Sequence, residues 1–119
     1  MAIPHARSGQ VIDVRPHGPL LTEERNVALF KTEDLEVIRL VLPAGKAMPP
    51  HKVAGEITIQ CIEGRIDVAV DGASNHLAAG QLIYLARNVV HGVAALEDAS
   101  VLVTIALRRQ GPAHARSKR

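Results

Sequence analysis

A chain of 119 residues is one domain's worth, long enough for a single core with no room for a second, so one compact unit is expected. Apolar residues make up 47% of it, yet Phe30 and Tyr84 are the only aromatics, so the core has to be Val, Ile, Leu and Ala packed along strands. The formal charge is +2 and unevenly spread: Arg108, Arg109, Arg116, Lys118 and Arg119 fall in the last twelve residues, which hold no acid, and the rest is net acidic.

Residues 1–24 read as an N-terminal arm and loop. Within them Gln10 to Val14 has the apolar alternation of an edge strand, broken by Arg15-Pro16-His17-Gly18-Pro19. His17, between a Pro and a Gly-Pro, is expected to be an exposed loop residue, the other reading being a ligand at the rim of a barrel. Leu20 to Asn26 is acidic and reads as loop, with at most one helical turn capped by Thr22.

Residues 25–107 carry the strand signals. Val27 to Thr32 and Leu35 to Leu42 are separated by Glu33-Asp34 as a turn. In the second, Leu35, Val37, Arg39 and Val41 alternate with Glu36, Ile38, Leu40 and Leu42, so both faces need cover. Pro49-Pro50 makes a stiff, extended lead-in to His51. Glu56 to Ile62 follows with Ile57, Ile59 and Cys61 on one face. Then comes Arg65 to Val70, with Ile66, Val68 and Val70 on its apolar side, and the hairpin signal Asp71-Gly72. Asn75 to Ala79, Gln81 to Leu85, His91 to Leu96 and Ala99 to Leu107 complete a run of eight to ten short strands. There is no sustained helical period and no internal repeat. Cys61 has no partner for a disulfide and reads as a small buried hydrophobe. No segment approaches a membrane helix, and a soluble cytoplasmic protein with no membrane partner is expected. The tail, 108–119, lacks any stacking residue; it reads as a solvated, disordered end, and no nucleic-acid partner is expected.

Two stretches carry candidate chemistry. Gly45, His51 and Gly64 stand at fixed intervals in the first, and Gly80 and His91 in the second. Through these intervals the chain resembles the small single-domain cupins of the RmlC-like type. The family's first motif is Gly, five residues, His-x-His, three or four residues, Glu, six residues, Gly; its second is Gly, five residues, Pro-x-Gly, two residues, His, three residues, Asn. Here Val53 replaces the second His, Ile57 the Glu, and Ala86, Asn88 and Ala95 the Pro, Gly and Asn.

The resemblance implies an all-β jelly-roll, the double-stranded β-helix of cupins, and usually a homodimer. It also implies a site where three imidazoles and a carboxylate hold one divalent metal such as Fe, Mn, Ni, Cu or Zn. Of those ligands His51 and His91 remain. They can still bind a metal if Glu56, Gln60, His17 or waters complete the shell, although Glu56 and Gln60 have the wrong strand parity unless a bulge intervenes. The expected site is a small-molecule pocket around His51 and His91, walled by Val53, Ile57, Ile59 and Val93 and holding metal weakly or not at all. That suits a binding or sensing module, the alternative being a metal-dependent enzyme of dioxygenase or isomerase type. No catalytic residue is assigned. His76 and His114 are expected to be exposed; for Lys52 and Arg87, beside the two histidines, one reading is that they favour an anionic ligand at the mouth, the other that they are solvated loop side chains.

Overall fold

The computed structural model describes residues 5–107, so the basic run from Arg108 lies outside the described residues. Nine strands, β1 (Val27–Lys31), β2 (Leu35–Leu42), β3 (Ala47–His51), β4 (Ile57–Glu63), β5 (Arg65–Val70), β6 (Ala73–Ala78), β7 (Leu82–Leu85), β8 (His91–Ala95) and β9 (Ala99–Ala106), form two sheets. One has the order β1-β2-β9-β4-β7, the other β3-β8-β5-β6, with every pairing antiparallel. This is the expected jelly-roll. Among the described residues no helix is long and apolar enough to cross a membrane.

The period-two pattern decides what faces the core. Leu40 and Leu42 of β2, Ile57, Ile59 and Cys61 of β4, Ile66 and Val68 of β5, Val93 and Ala95 of β8 and Val101 and Val103 of β9 make one buried cluster, with Val70 half-buried against it. The hairpin between β5 and β6 turns on Asp71 (φ 49°) and Gly72 (φ 87°), two successive left-handed residues, as the tightest hairpin turns require.

The N-terminal region departs from the sequence reading. Gln10 to Val14 forms no strand; Val11 is 92% exposed, and an apolar alternation without a neighbouring strand has nothing to pair with. Gly18–Glu23 is a 3-10 turn with Pro19 in its first turn; His17, not Thr22, is its N-cap, and no side chain caps it. Its Leu21 is buried. The turn packs on β2, whose outward residues Val37, Arg39 and Val41 are buried, so the second apolar face of β2 is covered by the chain's own N-terminal strap. On the same outer surface Leu102, Thr104, Thr58 and Gln60 are half-buried, and Leu82 and Tyr84 are more than half exposed.

The mouth of the barrel and its two histidines

The chain crosses between the sheets twice at one end, through residues 52–56 (His51 to Ile57) and 86–90 (Leu85 to His91). The Asn88 N–H donates to the Val53 carbonyl at 2.9 Å and ties the two crossings together. His51 and His91 are register partners on β3 and β8, so they share a face, and their ring centroids lie 4.5 Å apart at an interplanar angle of 51°. His91 is buried at 4% exposure, while His51 stands exposed on the edge strand.

Each ring is oriented by the carbonyl two residues before it. His51 Nδ1 lies 3.2 Å from the Pro49 oxygen and His91 Nδ1 3.0 Å from the Val89 oxygen. A carbonyl oxygen only accepts, so both contacts require a proton on Nδ1, and in the neutral imidazole that places the lone pair on Nε2, open to a ligand. Ligating histidines are commonly held this way.

The rest of the expected set is dispersed. Ile57, Ile59 and Val93 belong to the core, and Val53 packs against it as an apolar wall. Glu56 is exposed and accepts a hydrogen bond of 2.6 Å from the Tyr84 hydroxyl on the outside of the sheet; that bond raises the Tyr84 pKa. Gln60, opposite Leu82 and Leu102, has the same outward parity. His17 is neither exposed nor at this rim: it is half-buried at the opposite end of β4, where its N–H donates to Glu63, because the strap crosses the outer face there. His76 is exposed. Among the described residues no three His, Cys, Asp or Glu side chains are grouped closely enough to hold a metal ion. Two imidazoles with no carboxylate grouped beside them do not fit the divalent centre that the resemblance implies.

Two features escaped the sequence reading. Glu36 has the inward parity of Ile38, Leu40 and Leu42, and its position in β2 is at this same end of the barrel. At the far end, on the outer face, the Glu63 carboxylate accepts from the Ser100 hydroxyl (2.5 Å) and from the N–H groups of His17 (2.8 Å) and Gly18 (3.0 Å). Arg39 Nη2 lies 3.5 Å from Glu63 and donates to Ser100 Oγ at 3.0 Å. Burial pushes the Glu63 carboxyl upward, but the Ser100 hydroxyl, the two N–H groups and the nearby His17 together bring its pKa below the ordinary value. A cleft of about 360 Å³, lined by Gly18, Leu21, Glu63 and Asp98 among others, opens beside this cluster.

The cupin domain model matches residues 38–106, more than half of the chain and every residue discussed at the mouth except Glu36. The chain belongs to the cupin domain family. Solved structures agree in fold with this cupin. A conserved protein of unknown function from Streptococcus pyogenes is 20% identical, with a TM-score of 0.71 over 92% of this chain and 96% of that one. An RmlC-like cupin from Desulfovibrio desulfuricans is 27% identical, with a TM-score of 0.65 over 86% and 97%. An RmlC-like cupin with a double-stranded β-helix fold from Methanocaldococcus jannaschii is 20% identical, with a TM-score of 0.68 over 83% and 94%. No curated protein matches the chain.

Proposed function

We propose that this cupin is a binding or sensing module that takes a small, largely apolar molecule at the barrel mouth, with His51 and His91 as its polar contacts and no tightly held metal. The observation that carries the reading is the pair of imidazoles, each fixed through Nδ1 and each left with a free Nε2, above Val53 and Ile57 where the family's other ligands stand. The same two hydrogen bonds favour the second reading, a metal-dependent enzyme, because they are the outer contacts that ligating histidines use.

Elemental analysis of tag-free protein, repeated for His51→Ala and His91→Ala, decides between them. The expected result is iron, manganese, nickel, copper and zinc all far below one per chain. Near-stoichiometric metal lost in both variants would reverse the order. Removing even an outer contact weakens metal binding about 10- to 100-fold, so the absence of two direct ligands should leave Ni²⁺ affinity weaker than that of complete sites by at least that factor in a calorimetric titration.

A homodimer, cytoplasmic and without a nucleic-acid partner, belongs to the same proposal. The strap covers β2, whereas the outer face of β9, β4 and β7, with Leu82, Tyr84 and Leu102, is left open, and an isologous contact would cover it. Light scattering at micromolar concentration should return twice the mass of one 12.7 kDa chain; a single-chain mass contradicts the dimer.

A further inference from the structure

Register places one more charged group at the mouth. Leu85, Ile57, Ile105 and Glu36 are successive partners across β7, β4, β9 and β2, and so form one row on the inner face of the five-stranded sheet. Ile57 and Leu85 are core residues, Ile105 packs against the core, and β2 pairs with β9 from Leu35 to Leu42 without a bulge, so inward parity reaches Glu36. The residue is half-buried, and among the described residues its carboxylate has no hydrogen bond or ion pair. Its cross-strand partner Lys31 is exposed and forms no salt bridge with it. A carboxylate that gives up part of its water is stabilised by a donor, and none comes from the described chain.

The polar side chains of the mouth are therefore alike in one respect. His51 and His91 offer lone pairs on Nε2, because their protons are committed to Pro49 and Val89, and Glu36 offers carboxylate oxygens. Of the other charged groups near this end, Lys52 and Arg87 are exposed on the crossings, Glu56 is bonded to Tyr84, Asp71 is exposed in the β5–β6 turn, and Lys31, on Glu36's face, is exposed on the edge strand β1. The three groups His51, His91 and Glu36 all accept. We infer that Glu36 is a ligand-binding residue and that the ligand is a small amphiphile with an apolar body and a hydrogen-bond-donating, cationic head, a primary amine in chemical class. The inference rests on the mouth being a binding site. Glu36 lies two strands from Ile57, about 10 Å at ordinary strand spacing, so the body must be at least the size of a ring to touch both walls.

The test is a methyl NMR titration of the full chain at neutral pH with cyclohexylamine, cyclohexanol and cyclohexanecarboxylate, following the methyls of Val53, Ile57 and Ile105. The amine is expected to bind tightest and the carboxylate weakest. Glu36→Gln should weaken the amine about fivefold, the scale of a partly shielded ion pair, and weaken cyclohexanol, which carries no charge, less than that. An unchanged melting temperature for Glu36→Gln would show that the fold is intact. Cyclohexanecarboxylate binding as tightly as the amine would overturn the inference in favour of Lys52 and Arg87, and so would amine affinity unmoved by Glu36→Gln. If the alcohol binds while no charge preference appears, the binding site stands and the role of Glu36 falls; if none of the three probes shifts these methyls, both fall.

Discussion

Glu63→Ala is expected to destabilise the fold by about 3 kcal/mol, the lower end of the cost of breaking a buried ion pair by removing one partner. The side chains of Arg39 and Glu63 are 7% and 15% exposed, so the variant leaves a guanidinium under the strap with Ser100 as its remaining hydrogen-bond partner. Arg39 Nε already has no partner among the described residues. The N–H groups of His17 and Gly18 lose their acceptor as well, which frees the strap from the outer face of β2. Urea denaturation measures the loss. Arg39→Met combined with Glu63→Ala should cost less than Glu63→Ala alone, because no unpaired charge then remains buried. Equal losses would mean that the carboxylate matters only for holding the strap.

The same carboxylate gives the fold an acid-sensitive contribution. Its folded pKa lies below the ordinary value of 4.5, so the stabilisation is complete above that value and fades as pH falls through the folded one. Glu63→Gln removes the ionisation. The stability gap between the native chain and Glu63→Gln should be constant from pH 7 to about 5 and narrow below about 4.5, the unperturbed value. A gap that persists unchanged at pH 3 would place the effect in shape, not charge.

The barrel was legible because turns and inward faces are local. Gly45, Gly64 and Gly80, the motif glycines that this chain keeps, all have positive φ (86°, 80° and 91°). Asn88, in place of the family glycine, is also left-handed at φ 61°, and Asn is the substitute that tolerates this region. The chain has thus kept the turn-forming half of the cupin motifs and lost much of the ligand half, which is why the fold could be read without the ligand set. Pro49-Pro50, expected as an extended lead-in to His51, lies within the edge strand Ala47–His51; two prolines are compatible with a strand there, since an edge has backbone positions with no ladder bond to donate. The mixed faces of β2 hid two different uses, Glu36 inward at the mouth and Arg39 outward under the strap. The cluster of Arg39, Glu63 and Ser100 joins positions 24, 61 and 37 residues apart, and no local pattern announces such a meeting.

Gly55→Ala is expected to have a comparable effect by a route that bears on the mouth. A Cβ on Gly55 would lie 1.5 Å from the Ala106 carbonyl oxygen and 2.7 Å from its carbon, so backbone, and not a flexible side chain, would have to yield. Overpacking costs about 1–3 kcal/mol, and an obstacle made of backbone argues for the upper end, about 3 kcal/mol. The Ala106 N–H donates to the Glu56 carbonyl at 2.9 Å, and pushing the crossing outward strains that bond too. Because Val53 is held to Asn88 by the other crossing, the displacement should spread towards His51 and His91. Two readouts follow: a lower urea midpoint, and shifted imidazole resonances of both histidines in the part of the population that stays folded. Loss of stability with both imidazole signals unmoved would mean that the crossing yields locally and that the histidine pair is held by β3 and β8 alone.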